Sequence, residues 1–149
     1  MLFRTLIAQG LFVGLIATLI TTIFMVILRS KGKEILDLHL FFGKALLHEK
    51  SKDGVSAIFA LVLHLMVGSL LGLAYVYLFN PAIWTGLVFA LIVWLLMGLS
   101  LFPLFKQGLF GMKLDKKSKK KKCCQFKAWQ MTLIFHLIYG LLLGFFSAL

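Results

Sequence analysis

Leu6-Ile7-Ala8-Gln9-Gly10-Leu11-Phe12-Val13-Gly14-Leu15-Ile16-Ala17-Thr18-Leu19-Ile20-Thr21-Thr22-Ile23-Phe24-Met25-Val26-Ile27-Leu28 is an uncharged run of 23 residues. As a helix it is long enough for a hydrocarbon core about 30 Å thick, which needs about 20 apolar residues. Three more such runs follow, at residues 55–79, 82–105 and 128–149. Backbone groups in lipid must be satisfied within the protein, so a spanning segment is either a helix or part of a closed barrel. None of the four runs alternates apolar with polar residues, and helices are therefore expected. The predicted architecture is an all-α, integral membrane four-helix bundle in one domain, residues 1–149.

The remaining sequence agrees. Hydrophobic residues make up 61% of the chain and the mean hydropathy is +1.00. A water-soluble domain could not cover that much apolar surface. Of 16 Lys and Arg residues, all but Arg4 lie in two segments. Residues 29–53 carry six basic and four acidic side chains, and residues 106–127 carry nine basic and one acidic. Asn80-Pro81-Ala82 and Ser147-Ala148-Leu149 carry none. By the positive-inside rule both basic loops, 29–54 and 106–127, belong on the cytoplasmic side of a bacterial or organellar inner membrane, with both termini outside. The first span is too long for the apolar region of a signal peptide, and no small-x-small cleavage pattern follows it before Arg29.

The spans form two tandem helical hairpins, and the second resembles the first. His64-Leu65-Met66-Val67-Gly68-Ser69-Leu70-Leu71-Gly72 and His136-Leu137-Ile138-Tyr139-Gly140-Leu141-Leu142-Leu143-Gly144 share the pattern H-L-x-x-G-x-L-L-G. Gly10-Leu11 with Gly14-Leu15-Ile16 stands beside Gly86-Leu87 with Ala90-Leu91-Ile92. This reads as duplication of a two-helix unit with parallel topology. Gly10, Gly14, Gly68, Gly72, Gly86, Ala90, Gly140 and Gly144 recur at helical spacing. Lipid offers no hydrophobic drive between helices, so close approach at small residues supplies the association. Those faces either hold the bundle together or receive a partner subunit or a second copy.

The basic loops differ in kind. Ile35, Leu38, Phe42 and Ala45 follow helical spacing, with Asp37, Lys44 and His48 as a polar stripe. This predicts a short interfacial helix between spans one and two. Lys116, Lys117, Lys119, Lys120, Lys121 and Lys122 form a self-repelling run that suits anionic headgroups or an acidic partner surface. Nucleic acid is not expected, because no aromatic or helical reading surface accompanies the lysines. Cys123 and Cys124 are poorly placed to bond to one another, and in a eukaryotic host would suit palmitoylation.

His64 and His136 are the candidate site. They lie nine and eight residues into parallel spans, hence at a common depth of roughly 12–14 Å. Ionisable residues inside a membrane usually face the bundle interior and mark function. One reading has each imidazole hydrogen-bonded to a Thr, a Trp or a backbone carbonyl. A second has the pair as axial ligands of a b-type haem, although glycines that let helices touch leave no slot for a macrocycle. A third has the pair binding a metal or relaying protons in a transport path. No Asp or Glu lies within any span, which disfavours an ion pump, and no nucleophile–base–orienter set can be assembled, so an enzyme is not expected. Tyr75, Tyr77, Trp84 and Trp129 suit the aromatic belts at span ends, Trp94 suits packing between helices, and Pro103 should kink or end span three.

The order of these motifs resembles a group of small prokaryotic four-span membrane proteins, a domain of unknown function. The resemblance rests on Gly14 with Ala17-Thr18, on His64, Gly68, Gly72 and Tyr75, on Pro103-Leu104 and Leu109-Phe110-Gly111, and on His136, Leu137, Tyr139, Gly140 and Gly144. The lysine run and the cysteine pair depart from the pattern. The resemblance implies the four-span fold and no activity. The functional expectation is a non-enzymatic scaffold or accessory subunit, with a haem electron carrier or a small transporter of a lipid-like solute as alternatives.

Overall fold

A computed structural model describes residues 2–30, 53–104 and 128–149. The expected interfacial helix, the lysine run and the cysteine pair lie outside the described residues. Four helices are long and apolar enough to cross a membrane: α1 (Leu2–Ser30), α2 (Asp53–Leu78), α3 (Ile83–Leu96) and α4 (Ala128–Ser147). The apolar stretch that includes α3 runs on through Leu101. The fold is the all-α four-helix bundle that the hydropathy pattern predicts.

The end of α3 departs from regular helix. Met97–Leu101 is a π-helical turn, and one further helical turn, Phe102–Leu104, follows it. Pro103 has no N–H to donate and crowds the carbonyl four residues earlier, that of Leu99. Widening the preceding turn to π geometry relieves that conflict without ending the helix. The hydroxyl of Ser100 donates to the Leu96 carbonyl beside the widened turn.

Packing is by hairpin. α1 lies along α2, α3 lies along α4, and the two hairpins meet chiefly where α1 runs against α4. Phe24 and Phe135 mark that contact edge to face, with centroids 6.5 Å apart. α2 and α4 touch at only a few points. α2 and α3, although consecutive, do not pack along their lengths; they meet beside their connection through Tyr75, Phe79 and Phe89, with centroids 5.5–6.0 Å apart.

Within each hairpin the glycines face glycines. A Cβ on Gly14 would lie 2.5 Å from the Gly68 carbonyl oxygen and 2.9 Å from the Gly72 Cα. A Cβ on Gly86 would run into the Gly140 carbonyl oxygen and lie 2.9 Å from the Gly144 nitrogen. Dispersion between touching backbones replaces the hydrophobic drive that lipid withholds.

These contacts also fix how the hairpins correspond. Gly14 meets the same backbone atoms on Gly68 and Gly72 that Gly86 meets on Gly140 and Gly144. Gly72 abuts the Gly10 carbonyl as Gly144 abuts that of Ala82, and Thr18 covers Gly68 where Ala90 covers Gly140. Gly86 is therefore the counterpart of Gly14, one helical turn from the Gly10 pairing that the motifs alone suggest. With that shift every equivalence has one offset: 72 residues separate Gly14 from Gly86, His64 from His136, Gly68 from Gly140 and Gly72 from Gly144. Leu15/Leu87, Met25/Met97 and Leu61/Leu133 are identical at the same offset.

The core lies toward the uncharged end of the bundle. Val13, Ala17, Tyr75, Phe89, Tyr139 and Leu143 form its buried cluster. Tyr75 is fully buried, which corrects its expected place in an aromatic belt. Its hydroxyl accepts from the Ala82 N–H at 3.0 Å and lies 2.9 Å from Thr85 Oγ1, so the ring turns inward to satisfy the backbone of the tight connection. Tyr77 and Trp84, by contrast, are largely exposed, as a belt position requires.

Candidate functional site

Toward the end from which the basic segments leave, the same four helices line a partly open cavity of about 510 Å³. That volume falls in the range of small-molecule sites, about 300–1,000 Å³. Its walls are Thr21 and Met25 of α1, Leu63 and His64 of α2, Val93 and Leu96 of α3, and Phe135 and His136 of α4, among others. Apart from a few hydroxyls and the two imidazoles, the lining is apolar. The cavity lies where α2 and α3 diverge, so the interior of the bundle is filled at one end and hollow at the other.

The cavity is lined by corresponding residues of the two hairpins. Thr21/Val93, Met25/Met97, Ala60/Thr132, Leu63/Phe135, His64/His136 and Val67/Tyr139 all line it, and each pair is related by 72 residues. Both histidines therefore line one cavity, although the hairpins are not disposed two-fold about it, since α1 packs against α4 whereas the corresponding pair, α3 and α2, does not.

Thr132 organises the α4 wall. Its carbonyl lies 2.7 Å from His136 Nδ1. A carbonyl can only accept, so Nδ1 carries the proton and the neutral ring presents an unprotonated Nε2. Because Nδ1 is turned back onto its own helix, Nε2 is turned away from it. The hydroxyl of Thr132 donates to the Trp129 carbonyl at 3.0 Å and accepts from Trp94 Nε1 at 3.2 Å, which ties α3 to α4. Trp94 thus packs between helices as its mid-span position suggests.

Tyr139 braces the floor. Its hydroxyl donates to the Gly68 carbonyl at 2.6 Å, joining α4 to α2 just beyond the histidines. On α1, Thr18 and Thr21 return their hydroxyls to the carbonyls of Gly14 and Ala17 at 2.7 Å each. Such back-bonding satisfies a buried hydroxyl without a partner helix, and it leaves the Thr21 methyl for the cavity wall.

The structure places the eight small residues in intra-hairpin packing and the two histidines in one cavity. The two roles that competed for the glycines are largely separated: the small residues close each hairpin, and of these eight Gly68 also lines the cavity beside the imidazoles. Thr132, Tyr139 and Trp94 complete the site, and sequence reading had not joined them to it. The signal was available at the 72-residue offset, which sets Thr132 against Ala60 and Tyr139 against Val67, polar for apolar in the second hairpin. Among the described residues no group of three or more His, Cys, Asp or Glu could hold a metal ion. No family model, curated protein or solved structure matches the chain.

Proposed function

We propose that this is a non-enzymatic integral membrane protein that holds one apolar guest, drawn from the bilayer, between its two hairpins. The observation that carries this reading is the partly open cavity of about 510 Å³ at the depth of His64 and His136, lined by all four helices. An apolar void of that size in a bundle held by dispersion forfeits contacts on every wall. A guest restores them. Entry is lateral, between α2 and α3, where the helices part company.

The scaffold role expected from the small-residue faces needs a different surface under this reading. Gly14, Gly72, Gly86 and Gly144 are occupied within the chain, with no room for a Cβ. A partner subunit would meet the lipid-facing side chains instead.

The test is to purify the protein in mild detergent, extract it with organic solvent and weigh what comes out. The reading expects a non-protein molecule in one-to-one ratio with the chain, absent from an Ala60→Phe variant whose new ring fills the cavity. An extract of mixed lipid in no fixed ratio, equal in both proteins, would refute the guest and favour the scaffold.

A further inference from the structure

Resting on the guest-binding reading, we infer that the guest is a neutral lipid alcohol, an apolar molecule whose single hydroxyl donates to Nε2 of His136. The choice follows from which hydrogen-bonding atoms the cavity wall still has to offer. Of the hydroxyls in that wall, Thr18 donates to the Gly14 carbonyl, Thr21 to that of Ala17 and Ser100 to that of Leu96. Thr132 donates to the Trp129 carbonyl and Tyr139 to that of Gly68. A hydroxyl has one proton, so none of the five has one left for a guest. The backbone N–H groups of these turns are spent in the same way along their helices. Trp94 Nε1–H, the donor that α3 brings to this wall, is taken by Thr132 Oγ1 at 3.2 Å. Among the described residues, then, the wall presents acceptors.

The two imidazoles differ. His64 is engaged within the protein, and its Nε2 is buried in the wall. His136 holds its Nδ1–H against the Thr132 carbonyl at 2.7 Å, so Nε2 has a lone pair and no proton. The ring lines the cavity with that edge turned away from α4. Nε2 of His136 is thus the most basic acceptor within reach of a guest.

Whole classes of guest fail against this wall. A quinone, ketone, aldehyde or ester brings a carbonyl that can only accept, and no proton waits for it. A carboxylic acid has a proton to give but leaves its own carbonyl unmatched, which is costly away from water. Charged headgroups fail by depth. His136 lies eight residues into its span, about 12 Å along the helix, where a charge is expensive. An alcohol satisfies Nε2 with its one proton, and its apolar body restores contacts with Leu63, Val93, Leu96 and Phe135. The rest of that body leaves for the bilayer between α2 and α3, which do not pack along their lengths.

Four probes with one alkyl chain separate these chemistries: hexadecanol, its methyl ether, hexadecanal and hexadecane. The full-length protein in mild detergent is stripped of guest and given an equimolar mixture, and what it retains is quantified by mass spectrometry. The expected result is one probe per protein, with hexadecanol retained over the ether by about tenfold, as the loss of one hydrogen bond implies. His136→Leu keeps an apolar wall and takes up alcohol and ether alike, with the helical circular dichroism and elution volume of the parent. Should His136→Leu not fold, the wild-type ratio of alcohol to ether decides alone. Equal retention of the two by the wild-type protein overturns the inference, as does a preference for hexadecanal or a preference for alcohol that survives in folded His136→Leu. If the probes bind one to one without preference and Ala60→Phe excludes them, only the alcohol assignment falls. If no probe is held in fixed ratio, the guest-binding reading falls with it.

Discussion

The two ends of this bundle are built from the same four helices and do opposite things. At the uncharged end, Tyr75, Phe79 and Phe89 stack across the α2–α3 connection, and Val13, Ala17 and Leu143 fill what remains. At the other end, Leu63, Val93, Leu96 and Phe135 are as apolar and nearly as large, yet they surround a hollow. Composition does not separate the two. The difference lies in how closely the helices approach, and that is set by glycine–glycine contact within hairpins and by two tyrosine hydroxyls. Tyr75 ties α2 to the start of α3, and Tyr139 ties α4 to α2. Beyond the Tyr75 contacts α2 and α3 do not pack along their lengths, and the two helices diverge.

The sharpest way to break that comparison is at the glycines. Gly86→Leu puts a branched side chain against the Gly140 carbonyl, where even a Cβ has no room. Overpacking of this kind costs about 3 kcal/mol or more. The second hairpin should open, which thermal unfolding in detergent will register as the largest loss of the series. Gly14→Leu should do the same to the first hairpin, and equal losses would support the correspondence of the two glycines.

Tyr75→Phe comes next. It removes the acceptor of the Ala82 N–H and the hydroxyl beside Thr85. A buried donor left unpaired costs about 1–3 kcal/mol. The connection between α2 and α3 should become cleavable by protease while α1 and α4 stay protected.

Tyr139→Phe should cost less, about 0.6 kcal/mol, the average for a hydrogen bond between helices in lipid. Its value is in direction. Loss of the brace widens the cavity, so guest retention should fall by more than stability does. Ala60→Phe should have the smallest effect on unfolding of the four, because its ring enters space that is already empty, and yet it should abolish guest binding. A large loss of stability in Ala60→Phe would mean that the cavity is closed in the membrane.

Much of the fold was legible in the sequence. Four uncharged runs, two of them carrying His-Leu and paired glycines, predict the spans and the hairpins directly. The register of the repeat was not so plain. Gly10 and Gly14 are both small residues on one face of α1, and either can be set against Gly86 by motif alone. Only the contact of Gly14 with Gly68 and Gly72 decides between them. Tyr75 was misread because a tyrosine near a span end usually marks the interface, whereas here the backbone of the four-residue connection, 79–82, draws its hydroxyl inward. The cavity was the least legible feature. A leucine that faces lipid and one that faces a hollow are the same residue, and periodicity cannot tell them apart. What the sequence did mark was His64 and His136, since an imidazole at that depth needs a reason, and the hollow is where both are found.

The central claim is that this interior is packed at one end and open at the other, and thiol labelling on α3 tests it most directly. With Cys123 and Cys124 replaced by serine, Ala90→Cys and Val93→Cys place a thiol fewer than one helical turn apart. Ala90 is fully buried in the closed half, and Val93 lines the cavity. After solvent extraction of any guest, a small apolar maleimide should modify Val93→Cys readily and leave Ala90→Cys untouched. Equal rates at the two positions, or protection of both, would contradict the account.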